Sequence, residues 1–96
     1  MKVIWSKQAL NDLESLADYL FSHWGEDTGD KYLLRINELV IKISTNPKMY
    51  PESKIRRGVR RCVISKHNTL YYRVLPHHIE VITVFDNRQN SDKRKL

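Results

Sequence analysis

The chain has 96 residues, too few for more than one small domain, and 41% of them are apolar, which is enough for a single core and unlike a disordered composition. Its charge is segregated: residues 1–46 hold five cations against seven anions, a sum of −2, whereas residues 47–96 hold twelve cations against four anions, a sum of +8. A lone Cys62 excludes an intramolecular disulfide, and no apolar run is long enough for a signal peptide or a membrane span, so the sequence reads as a cytoplasmic protein with no membrane partner.

Val3-Ile4-Trp5 is a short β-prone run, and Ser6 after it supplies a hydroxyl suited to capping a helix. Leu10, Leu13, Leu16, Ala17, Leu20, Phe21 and Trp24 then recur at helical spacing, with Asn11, Asp12, Glu14 and Asp18 on the opposite face. Gly25 is placed to end this helix. Asp27 or Thr28 is the expected cap of a second helix, whose apolar positions are Tyr32, Leu33, Ile36, Leu39, Val40 and Ile43 and which Asn46-Pro47 closes. So short a connection predicts an antiparallel helical hairpin, and both apolar stripes then need a surface supplied by the rest of the chain.

The second half provides three β-rich segments: residues 58–64, Leu70 to Val74, and Ile79 to Asp86, separated by short turns at Lys66-His67-Asn68 and Leu75-Pro76-His77-His78. Short connections predict an antiparallel meander, and the last segment, apolar at nearly every position, is expected to be central. The expected fold class is α+β in the order β-α-α-β-β-β, a short N-terminal strand and helical hairpin packed on a small, curved, mainly antiparallel sheet. The helices would cover one sheet face and leave the other, carrying Arg and Tyr, to a ligand. Residues 87–96 are polar and charged and read as a tail to a single domain spanning 1–96.

Arg56, Arg57, Arg60 and Arg61 crowd into one short stretch, with Lys54 before them and Lys66 and Arg73 beyond. Guanidinium groups grip phosphate and carboxylate oxygens in pairs, so the cluster suits an anionic target; the plainer reading is an edge strand guarded by charge. Alternation puts Arg60 and Arg61 on opposite faces unless a bulge intervenes, sends Tyr72 to the core with Leu70 and Val74, and leaves Tyr71 exposed beside Arg73, where an aromatic and a guanidinium could stack on bases. The candidate target-binding set is therefore Arg60, Arg61, Lys66, Tyr71, Arg73 and Arg88. His67, His77 and His78 fall in turns and lack metal-ligand spacing, no glycine-rich phosphate loop exists, and no metal or cofactor is expected. The carboxylates of the basic half show no acid–base spacing, so no catalytic residue is assigned.

Trp5-Ser6 followed by Ala9 and Asp12-Leu13, Leu39 through Pro47, Val59-Arg60-Arg61, Leu70-Tyr71-Tyr72-Arg73-Val74 and Val84-Phe85-Asp86-Asn87-Arg88-Gln89 occur in an order that resembles the RelE/ParE toxins of bacterial type II toxin–antitoxin systems over nearly the whole chain. The resemblance implies a helical hairpin on a curved antiparallel sheet, a plasmid-stabilisation type of module, and a cognate antitoxin, with an acidic tail, as partner. It also implies one of two targets, the ribosome with its messenger RNA or DNA gyrase. RNA-cleaving members carry Lys and Arg on the middle strands and a Tyr or His just past the last strand. Here Arg60, Lys66 and Arg73 fit the cations, but Asn87, Arg88 and Gln89 follow Asp86, an ending more like the gyrase-directed ParE side. Gyrase inhibition is the expected activity, with a RelE-like ribosome-dependent mRNA endonuclease and a non-toxic nucleic-acid-binding module as alternatives.

Overall fold

A computed structural model describes residues 1–89 and residue 96. The order is β1 (Val3–Trp5), α1 (Lys7–Trp24), α2 (Glu26–Thr45), β2 (Arg60–Val63), β3 (Asn68–Val74) and β4 (Ile79–Asp86), and the four strands form one sheet in the order β1-β4-β3-β2. The meander is antiparallel and β4 is central, as the sequence predicts, while β1 joins β4 in parallel with Val3, Ile4 and Trp5 opposite Ile79, Glu80 and Val81. The expected tail divides: residues 87–89 fold back on the body, and 90–95 lie outside the described residues.

Ser6 performs two tasks at the β1–α1 junction. Its hydroxyl oxygen accepts from the Ala9 amide at 3.0 Å, capping α1, and its own hydrogen goes to the Ile82 carbonyl at 2.7 Å. Its amide donates to the Val81 carbonyl at 2.9 Å, so the start of α1 is sewn to β4. The expected cap at Asp27 or Thr28 is not used. Gly25 alone separates the helices, at φ 86°, a backbone angle that only glycine adopts without strain, and α2 begins at Glu26. Glu26 and Asp27 instead occupy the first turn, where carboxylates oppose the positive end of the helix dipole. Gly29 meets α1 closely, since a Cβ there would stand 2.6 Å from the Phe21 ring.

The core joins Ala9, Ile36, Leu39 and Ile43 of the helices to Cys62, Ile64, Leu70, Tyr72, Ile79, Val81 and Val84 of the sheet and its turn. Tyr72 is fully buried; burial pushes its phenol up to about 12, and the hydroxyl donates to the Pro47 carbonyl at 2.7 Å, fixing the loop after α2. Burial likewise raises the Cys62 thiol, which makes it an inert packing group. The α1 stripe is rotated from expectation. Ala9 and Leu20 are buried and Leu16 is half-buried, whereas Leu10, Phe21 and Trp24 are 53%, 40% and 62% exposed. The face turned to the core is the one that carries Ala9, Leu13, Leu16 and Leu20, and Leu10 and Phe21, each one residue on and about 100° round the helix, fall on its flank.

A bulge lies in β4, where Tyr71 and Tyr72 stand opposite Thr83 and Val81, leaving Ile82 as the extra residue. The sheet face away from the helices is also covered in part. Val59, Tyr71 and Phe85 form a second cluster there, with Ile82 against it and the Tyr71 and Phe85 rings edge-to-face at 6.5 Å. Tyr71 is only 3% exposed, so the expectation that it is displayed for a ligand is corrected: it lies on the outer face, but beneath apolar neighbours.

Candidate functional site

β1 covers the edge of β4 only as far as Val81. Beyond it α1 stands where a further strand would pair, and Asp12 supplies the acceptor that strand would have offered. One Asp12 oxygen takes the Val84 amide at 3.1 Å and the Thr83 hydroxyl, and the other takes the Gln8 side-chain amide at 2.8 Å. A guarded edge results, which resists unwanted strand addition. Between this edge and the hairpin opens a cleft of about 610 Å³. Tyr19, Trp24 and Leu16 of α1 form one wall, Thr28 and Tyr32 of α2 its back, and His67, Asp86, Arg88 and Gln89 its mouth.

The mouth is built by polar bonds rather than by packing. Tyr32 donates to Asn68 Oδ1 at 2.7 Å and lies 2.8 Å from Ser65 Oγ, which accepts from the His67 amide at 3.0 Å. Burial raises the Tyr32 phenol, so it stays protonated as the donor this arrangement needs. Asn87 closes the other side: its amide donates to the His67 carbonyl at 2.7 Å, its Nδ2 to the Lys66 carbonyl at 3.3 Å, and its Oδ1 accepts from Thr69 at 2.9 Å. The Lys66-His67 turn is thereby held against the end of β4. Arg88 arrives there from the other side, its Nε and Nη2 on the two Asp86 oxygens at 3.0 and 2.8 Å and its guanidinium 5.5 Å from the centre of the Tyr19 ring. Tyr19 in turn stacks on His23 at 4.3 Å. The hydrogen bonds from Arg88 hold the Asp86 carboxyl below its ordinary range, and the paired carboxylate raises the Arg88 guanidinium, so both are charged at neutral pH.

The six predicted site residues do not form one site. Arg88 and the Lys66 turn meet at the cleft mouth. Arg61 pairs across the ladder with Tyr71, and exposed Arg73 binds Glu80 at 2.8 Å; both belong to the outer sheet face. Arg60, expected to be free, is half-buried opposite Tyr72 and donates to the Tyr50 and Lys48 carbonyls at 2.7 and 3.3 Å, a clasp on the loop before β2. Sequence reasoning missed Asp12, Tyr19 and Trp24 as parts of a cleft. The signal was present only as aromatic residues on the flank of the α1 stripe. Among the described residues, no group of His, Cys, Asp and Glu is arranged to hold a metal, and no helix is long and apolar enough to cross a membrane.

Solved structures similar to this chain include small toxins named ParE and YoeB. The chain is similar to a structure of the chromosomal ParDE toxin–antitoxin system from P. aeruginosa at a TM-score of 0.77 and 19% identity, covering 90% of this chain and 95% of that one. It is also similar to a YoeB/ParE toxin from Agrobacterium tumefaciens at TM-score 0.68 and 19% identity, covering 90% and 98%. The heterotetrameric YoeB–YefM toxin–antitoxin complex from Staphylococcus aureus matches at TM-score 0.60 and 22% identity, covering 88% and 93%. No curated protein sequence matches. The chain belongs to the ParE toxin family of type II toxin–antitoxin systems (parDE), whose family model it fits over residues 3–91.

Proposed function

We propose that this protein arrests growth by binding DNA gyrase, and that a cognate antitoxin neutralises it by covering its basic surface. The observation that carries the target is the end of β4: the chain leaves the strand through Asn87, Arg88 and Gln89, with Asn87 absorbed in a structural hub and Arg88 an exposed cation at the cleft, paired with Asp86 and beside the Tyr19 ring. A binding poison needs such cations, whereas RNA cleavage by a 2′-hydroxyl also needs a group that moves its proton. One observation favours the second reading, ribosome-dependent mRNA cleavage: His67 lines the same cleft as Arg88. Purified protein added separately to a gyrase supercoiling assay and a translation assay decides between them. Inhibition of supercoiling alone supports the first reading, and RNA cuts at ribosomal sites replace it. Growth arrest on expression, rescued by a neighbouring gene product, separates both from a non-toxic nucleic-acid-binding module.

Three substitutions extend the test. Arg88→Ala should relieve growth arrest while leaving the melting temperature within a few degrees, and His67→Ala should leave growth arrest intact; the reverse pattern, read from plating efficiency, sinks the gyrase reading. Arg60→Ala should act through the fold, lowering stability by about 1–2 kcal/mol, because it removes a charged donor from two loop carbonyls. A denaturant melt separates that effect from loss of a target contact.

The antitoxin reading rests on the +8 half and on the toxin–antitoxin complexes among similar structures. An acidic segment that folds on binding gains both reach and electrostatic steering. Its association rate should fall steeply as salt rises toward physiological strength, where the Debye length is about 8 Å. Stopped-flow mixing with the neighbouring gene product measures this, and a rate indifferent to salt removes the electrostatic component.

A further inference from the structure

Two exposed ion pairs occur among the described residues, and they differ in setting. Arg73 and Glu80 face each other across adjacent strands on open surface, whereas Arg88 is folded back on Asp86 at the mouth of the cleft. Asp86 offers Arg88 both carboxylate oxygens and also accepts the Arg88 backbone amide at 2.9 Å. The guanidinium thus already holds the ligand geometry it would offer a partner, a forked carboxylate. The guanidinium carbon also lies over the Tyr19 ring, 5.5 Å from the centre, a second contact that does not depend on the carboxylate. The pair is solvent-exposed and local in sequence, so it is weak enough to be displaced.

We propose that Asp86 is an internal competitor for Arg88, holding the cation until a partner carboxylate, delivered together with apolar side chains that fill the cleft, takes its place. The occupant is an acidic, amphipathic peptide segment. Leu16, Tyr19, Trp24 and Tyr32 offer the cleft an apolar and aromatic lining suited to aliphatic side chains, which a phosphate chain would leave unfilled. Because neither contact is strong alone, the device selects ligands that bring both, which is specificity by an added cost to the wrong partner. The proposal rests on the antitoxin reading for its biological setting.

The experiment measures binding of a short glutamate–leucine peptide to the full chain by fluorescence anisotropy, independently of gyrase and of growth arrest, so its failure is distinct from failure of the proposed function. Asp86→Asn should tighten binding by up to about fivefold, the upper range for releasing an exposed pair. Glu80→Gln, which removes the same charge beside Arg73, should change it by less than about twofold. Arg88→Ala should erase the gain in the double variant with Asp86→Asn. Equal gains in the Asp86 and Glu80 variants, or a gain that persists without Arg88, overturn the proposal by reducing it to net charge. A larger gain for a single-stranded oligonucleotide than for the peptide overturns the assigned occupant. In the unaltered protein, the Arg88 side-chain nitrogen resonance should shift on saturation with the peptide; an unmoved resonance overturns the exchange even if a variant fails to fold.

Discussion

Val81→Asp should yield no cooperatively folded protein. Val81 is fully buried in the central strand, with Trp5 beside it on one edge and Tyr72 on the other, so a carboxylate there has neither water nor a cation within the core. Burying an unpaired charge costs several kcal/mol, against a total stability of roughly 5–15 kcal/mol for a domain of this kind. The sheet supplies its own control. Val63 at the edge is 51% exposed, and Val63→Asp should stay within about 1 kcal/mol of the parent. Thermal melts followed by circular dichroism separate the two; a native transition in Val81→Asp refutes the assigned core.

Asp12→Ala is expected to be the most damaging change to a polar side chain. It removes the acceptor for the Val84 amide and the Thr83 hydroxyl together, and Thr83 is only 6% exposed. Leaving such donors without partners costs about 1–3 kcal/mol each, so a loss of about 2–4 kcal/mol follows, or roughly 10–20 °C in melting temperature. Asp12→Asn keeps one side-chain oxygen and should recover about half of the loss. Hydrogen exchange at the Val84 amide reads the same bond locally. If Asp12→Ala melts like the parent, α1 does not guard this edge.

Much of the fold was legible because its signals are local. The Ser6 hydroxyl, the glycine at 25, the Asn46-Pro47 stop and the apolar continuity of Ile79 to Phe85 each act within a few residues, and each occurs where it was expected. The α2 start was misplaced because Asp27 and Thr28 look like caps, but the interhelical turn is only one residue long and leaves them inside the helix. The candidate site was less legible, since what matters there lies between elements. No local pattern says that Arg60 folds onto the Tyr50 carbonyl, that Tyr71 is roofed by Val59 and Phe85, or that Asp12 reaches a strand more than seventy residues later. Arg88 was found from the sequence, but its partner Asp86 was not, although only one residue separates them. Strand alternation gives the direction of a side chain and says nothing of how the chain turns once the strand has ended.

The parallel pairing of β1 with β4 bears on the order in which the molecule is made. Val3 to Trp5 leave the ribosome before their partners Ile79 to Val81, which follow only after both helices and two further strands. At roughly 5–20 residues per second, several seconds separate the two halves of that ladder. In the interval the hairpin has no β4 to bury its apolar stripes, Ser6 and Asp12 have no strand to bind, and the mouth of the cleft does not yet exist. Contacts that close so long a loop form late, because chain entropy opposes them until other contacts share the cost. The nascent polypeptide therefore lacks the completed sheet and the cleft beside it until β4 has emerged, whatever part of the chain has already left the ribosome.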